Sequence, residues 1–283
     1  MASVVADGIR THYETAGSGP PLLMFSPGGF DASLDKWSNL GVYKRIKILD
    51  HLTKKYTCIV FDKRETGKSG GRVERITWNH YAAQGKGLLD HLGIVRAHIM
   101  GGCAGCSSVA AFAVAYPQAT RGMVLYWPAG GPRYRINTHA RFAQHLAYVQ
   151  EHGLAGVVAL VKSHDKSFSQ DPRGGPWCPV IRDDAAFADA YAKMNAERYQ
   201  ILVAGMAKTM FDRDTVSGVE PEDLMRLDVP ALVIPGNDPS HATSAARYLQ
   251  ECIPYTEYWD VPVDQQLESN APARILEFLG KGE

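Results

Sequence analysis

The chain has 283 residues, 45% of them hydrophobic, with as many basic as acidic residues and therefore a formal charge of zero. That length bounds it to one large domain or one domain with an insertion, and the charge balance speaks against nucleic acid or an anionic membrane as its partner. No run of about 18 apolar residues occurs, and Met1 to Gly17 lacks a basic start followed by an apolar segment, so the expectation is a cytoplasmic protein, monomer or homodimer, acting on a small molecule. Five cysteines, Cys58, Cys103, Cys106, Cys178 and Cys252, are an odd number and disfavour a disulfide framework.

In chain order, short apolar runs stand at Pro21 to Phe25, Thr57 to Phe61, His98 to Met100, Gly122 to Trp127, Ala231 to Ile234 and Thr256 to Val261. Helical patterns separate them, which predicts an α/β protein: a mostly parallel central sheet with helices on both faces. Trp78 to Leu92 places Trp78, Tyr81, Ala82, Gly85, Leu88, Leu89 and Leu92 on one helical face behind a Thr77 N-cap. Between about Ala129 and Glu222 the strand signal vanishes and helical patterns take over, interrupted by the turn-rich D-P-R-G-G-P-W. The predicted organisation is a core of residues 1–128 and 223–283, with a helical lid, 129–222, inserted after the sixth strand. A last helix is expected over Ala271 to Leu279, with Pro272 in its first turn and Gly280 past its end.

Chemistry concentrates at M-G-G-C-A-G-C, Met100 to Cys106, which lies between a strand pattern and a helix pattern. A glycine-pinched turn of this kind lifts one side chain off the sheet edge, and the helix N-terminus behind it favours a thiolate, so Cys103 is a candidate nucleophile. Cys103 and Cys106 also form C-x-x-C, the spacing of redox pairs; packing of Cys106 against the sheet is the simpler reading. No His/Cys cluster has metal-ligand spacing, and neither metal nor cofactor is expected.

Gly101-Gly102-Cys103-Ala104-Gly105 resembles the nucleophile elbow of the α/β-hydrolase superfamily, some of whose members, such as dienelactone hydrolases, use cysteine. Ser26 to Trp37 resembles its oxyanion loop, Phe61 to Ser69 its D-x-R-G-x-G-x-S loop, and Pro230 to Asp238 the strand and turn that deliver the catalytic acid. The resemblance covers nearly the whole chain outside the lid. It implies an α/β-hydrolase fold, Cys103 as nucleophile, Asp238 as acid, and the N–H groups of Phe30 and Ala104 facing an oxyanion.

Where the superfamily has its histidine base this chain has Gln265, and no histidine follows His241. Gln takes no proton at neutral pH, which passes the role of base to His241, three residues beyond Asp238; the alternative is that His241 caps the helix after it. The lid histidines His139, His145, His152 and His164 read as packing or solvated residues. Glu65 stands where the motif has a small residue, and is expected either to pair with Arg64 or Lys68 at the surface or to point toward the elbow. Gly29, Glu65, Trp127 and Trp177 are the candidate substrate-binding positions, the aromatics suggesting an apolar or aromatic substrate. The expected activity is attack on an activated carbonyl, of an ester, lactone, thioester or β-diketone-type C–C bond. Two alternatives remain: a lyase or isomerase, in which Cys103 or Glu65 moves a proton without an acyl-enzyme, and a ligand-binding pseudoenzyme that lacks the usual histidine.

Overall fold

The computed structural model describes residues 2–281. Eight strands form one sheet: β1 (Ala2–Ala6), β2 (Ile9–Ala16), β3 (Pro21–Phe25), β4 (Thr57–Phe61), β5 (Ala97–Gly102), β6 (Thr120–Tyr126), β7 (Ala231–Ile234) and β8 (Thr256–Tyr258). Their order is β1-β2-β4-β3-β5-β6-β7-β8. β3 to β8 pair in parallel, and β1 and β2 add an antiparallel edge.

The apolar runs became strands because a parallel strand is covered on both faces and must be apolar on both. In β3, Leu22 and Met24 enter one core with Trp37, Tyr43 and Ile275, while Leu23 and Phe25 enter the other, under the helices Trp78–His91 and Gly105–Ala115. Several boundaries differ by one to three residues: β5 and β6 start earlier, at Ala97 and Thr120, and end at Gly102 and Tyr126, the last strand stops at Tyr258, the helix from Trp78 at His91, and the last helix includes Gly280. The β1–β2 hairpin was not expected. Its signal is Asp7-Gly8, both at positive φ, 50° and 69°, the dipeptide that closes a two-residue hairpin with the twist of its strands.

From β6 to β7 the chain is helical: Pro132–Lys162, Cys178–Asp183, Ala185–Ala192, Ala196–Met210 and Pro221–Leu224. The first of these breaks at Gly153, whose φ of 65° and ψ of 178° are not helical. Its inward residues Phe142, Val149 and Val157 join the same core as β3 and β5, so the segment is packed onto the sheet's end. The parallel strands bring the chain segments that follow β3, β4, β5, β6 and β7 to one edge of the sheet, where ligands bind in open α/β folds. Among the described residues no helix is long and apolar enough to cross a membrane.

Candidate active site

β5 ends in Gly101 and Gly102, and Cys103 follows at φ 55°, left-handed and strained for a residue with a side chain. The glycines make the turn sterically feasible. A Cβ on Gly101 would lie 2.5 Å from the Gly105 carbonyl oxygen, and one on Gly105 would lie 2.4 Å from that of Phe25. The Cys103 N–H donates to Tyr126 O at 3.2 Å, and its carbonyl accepts from Ala129 N at 3.2 Å. Gly130 in turn donates to Ser240 O at 3.0 Å, so the backbone after β6 ties the elbow to the loop after β7.

That loop carries both Asp238 and His241. Asp238 Oδ1 accepts from the N–H groups of Ser240 (2.8 Å) and His241 (3.1 Å), and its Oδ2 meets His241 Nδ1 at 2.8 Å. The imidazole lies against Trp127, ring centroids 5.6 Å apart. Its Nε2 is buried without a hydrogen-bond partner of ordinary geometry, and His241 and Cys103 line one cavity and act on each other's ionisation. The order Asp–Nδ1, Nε2–sulfur is that of a nucleophile, base and acid triad, and Ala242, not His241, is the N-cap of the helix Thr243–Cys252.

Electrostatics bind the pair. Burial acts to raise the Cys103 thiol, but the His241 charge and hydrogen bond, with the amides of Gly28 and Ala104, bring it below its ordinary value. Burial acts to lower His241, yet Cys103 and Asp238 carry it up to about 9. Burial likewise opposes ionisation of Asp238, and the His241 bond and charge hold its carboxyl low. Cys103 and His241 thus shift each other toward their charged forms, the direction that favours a thiolate–imidazolium pair.

The Ala104 amide approaches the Cys103 sulfur, and so does that of Gly28, two residues before Phe30. Gly28 (φ 116°) and Gly29 (φ 62°) turn the backbone left-handed just before the short 3-10 helix Gly29–Asp31, and a Cβ on Gly28 would meet Asp31 O at 2.7 Å. The Phe30 ring packs edge-on against Phe142 and Phe168.

A cavity of about 190 Å³ opens over the sulfur, lined among others by Gly28, Gly29, Phe30, Cys103, Ala104 and His241, with Trp78, Tyr81, Tyr134, Phe168, Met210 and Phe211 as its aromatic and apolar wall. Lys63 and Arg141 supply its cations. Both were missed, although Lys63 sits in the D-K-R-E stretch already singled out. Trp177 does not reach the cavity: it is fully buried among Tyr191 and Tyr199, donating to Arg72 O at 2.9 Å. Trp127 does not line the cavity itself and lies against His241, which does. Glu65 pairs with Arg64 as expected, Nε to Oε1 2.9 Å, but in the interior, not at the surface.

Gln265 is exposed in a short 3-10 turn, Val263–Gln265. The functional neighbour is Gln266, fully buried, whose Oε1 accepts from Tyr126 OH (3.1 Å) and Trp127 Nε1 (2.7 Å) while its Nε2 donates to Pro235 O (2.8 Å) and Val261 O (3.0 Å). It fixes the Trp127 ring on which His241 rests. Cys106 is buried, its thiol directed at Gly101 O (3.2 Å) and Tyr126 O (3.6 Å), the packing role. His145 is held by Arg173 O and Tyr199 OH, and His139 by Phe211 O. Among the described residues no group of three or more His, Cys, Asp or Glu side chains could hold a metal ion.

The parallel sheet, with a tight glycine-flanked turn at Cys103 after β5 and the Asp238–His241 loop after β7, has an α/β-hydrolase fold. A family model described as alpha/beta hydrolase fold matches residues 21–156. The chain is 35% identical over 122 residues to a 2-hydroxy-6-oxo-6-phenylhexa-2,4-dienoate hydrolase of Comamonas testosteroni, covering 42% of this chain and 40% of that protein. It is 32% identical over 124 residues to the dihydrolipoyllysine-residue acetyltransferase component of an acetoin cleaving system of Cupriavidus necator, covering 44% and 31%. The matched segment thus spans less than half the length of these relatives. Over whole chains, the fold superposes on an esterase of Thermogutta terrifontis (TM-score 0.64, 20% identity, 99% of this chain and 98% of that one) and on an enol-lactonase of Burkholderia xenovorans (0.63, 20%, 99% and 100%).

Proposed function

We propose that the protein is a cofactor-independent hydrolase that cleaves an activated carbonyl compound through Cys103. The observation that carries this reading is the Asp238–His241 hydrogen bond in a cavity that His241 shares with Cys103, whose thiol lies below its ordinary value. The Cys103 thiolate adds to the substrate carbonyl, and the amides of Gly28 and Ala104 accept the charge that develops on its oxygen. The tetrahedral intermediate collapses with loss of the leaving group, to which the His241 imidazolium passes its proton. The neutral imidazole then takes a proton from water as that water attacks the thioester. Collapse releases the acid and restores the thiolate–imidazolium pair. Asp238 holds the imidazole with Nε2 toward the sulfur throughout.

The wall of aromatic rings with Lys63 and Arg141 suits a small substrate that has an apolar or aromatic body and an anionic end. The helical segment 129–222 roofs this cavity with Tyr134, Thr138, Phe168 and Phe211 and acts as its lid. Among the expected carbonyl classes, the similarity to dienoate hydrolases favours a β-diketone-type C–C bond, with ester and lactone cleavage on the same machinery. Intact-mass spectrometry after brief exposure to p-nitrophenyl esters and activated lactones tests this: an acyl adduct on Cys103 that turns over is expected. Full turnover by a Cys103→Ala variant would refute it.

A further inference from the structure

Four consecutive charged residues, Asp62-Lys63-Arg64-Glu65, enter the interior after β4. Lys63 is 5% exposed, and Arg64 and Glu65 are fully buried. Arg64 Nε donates to Glu65 Oε1 (2.9 Å) and Oε2 (3.1 Å), and its other end binds Glu74. Glu65 holds a left-handed φ of 64°, with its N–H on Gly70 O at 3.0 Å. Gly71 packs so closely that a Cβ there would lie 2.9 Å from Glu65 Cγ. The fold accepts backbone strain to keep this carboxylate inside.

Lys63 points the other way, into the cavity wall. Its Nζ donates to Gly29 O and lies 4.3 Å from the centroid of the Tyr81 ring and 5.8 Å from that of Phe30. It has no other hydrogen-bond acceptor among the described residues, although an ammonium carries three donors. A methionine would fill the same space against Tyr81 without the desolvation cost of a buried cation, so packing does not account for the charge.

We propose that Lys63 is a positioning residue for the Cys103 sulfur: it pins the Gly28–Gly29 turn whose amide faces the sulfur and, besides His241, sets a second positive charge at the cavity wall. This rests on Cys103 working as the nucleophile. Glu65 contributes less than a full negative charge here, because burial raises its carboxyl to about 7 against the pull of Arg64 and Lys63. Burial lowers the Lys63 ammonium to about 8, against the pull of Glu65, Cys103 and Asp31, and leaves it charged at neutral pH. The other titratable groups that face the sulfur, Cys106, Tyr43 and Tyr134, are held neutral by burial.

The test is the pH titration of Cys103 alkylation by iodoacetamide in the full chain, read by mass spectrometry; the other four cysteines are buried. The unsubstituted protein should show a midpoint below that of an ordinary thiol. Lys63→Met and Lys63→Gln should each raise it by about one pH unit, about tenfold less thiolate below the midpoint, and Lys63→Arg should return it toward the starting value. Thermal unfolding establishes that the variants are folded. Lys63→Gln keeps a donor for Gly29 O, so its midpoint reports charge alone. An unshifted midpoint in folded Lys63→Met, or in Lys63→Gln, would overturn the proposal while leaving the Cys103–His241 pair intact. An ordinary midpoint in the unsubstituted protein would instead overturn the nucleophile assignment on which it rests.

Discussion

Replacing His241 by glutamine removes the base but keeps a polar side chain of similar length beside Trp127. The molecule contains its own reference for the outcome. Cys58 is buried with no charged neighbour acting on it, and burial alone carries its thiol up to about 12. A Cys103 thiol left in that condition would be ionised to about one part in 10⁵ at pH 7. The Gly28 and Ala104 amides remain in place, so the loss falls short of that ceiling, and a decrease of about 10²–10⁴ in kcat/KM is expected for His241→Gln. Hydrolysis of a p-nitrophenyl ester and alkylation by iodoacetamide should be followed in parallel at pH 7, since both consume the thiolate. Turnover within about threefold of the unsubstituted protein would refute the assignment of His241 as base, because His139 and His145 are committed to backbone carbonyls elsewhere.

Gln266→Ala should lower stability to denaturant by about 2–4 kcal/mol, because it strands four polar partners in the interior; a loss under about 1 kcal/mol would show that this amide is dispensable. The pH–rate profile should fall on the alkaline side through about 9, where the raised His241 loses the proton it gives to the leaving group, and on the acid side as the lowered Cys103 thiol is protonated. An alkaline limb near 6.5 would mean that His241 is not coupled to the sulfur.

The sheet was legible in the sequence because burial on both faces leaves continuous apolar runs, and the elbow because only glycine tolerates the backbone approaches at Gly101 and Gly105. Asp238 and His241 could be found as a pair because three residues separate them on one turn. Lys63 could not: in K-R-E, charges read as a solvated loop, and only the tertiary path of the chain after β4 reveals that all three are inside. The tryptophans misled for the opposite reason, since composition identifies Trp177 as an anchor but cannot say whether it anchors a substrate or the inserted helices' own core. Gln265 and Gln266 illustrate how much one position matters: the first faces solvent, and the second holds the ring under the base.

Carrying base and acid on a single turn changes how the site can move. When a histidine and its aspartate hang from two strand ends, any relative shift of those ends stretches the bond between them. Here the Asp238 carboxylate also grips the backbone N–H of His241, so the two residues travel as one cassette. Breathing of the loop after β7 therefore alters a single coordinate, the gap between imidazole and sulfur, while tautomer and ring orientation stay locked. The stretch after β8 takes no part in that gap: Gln265 is exposed, and Gln266 acts only through the Trp127 ring.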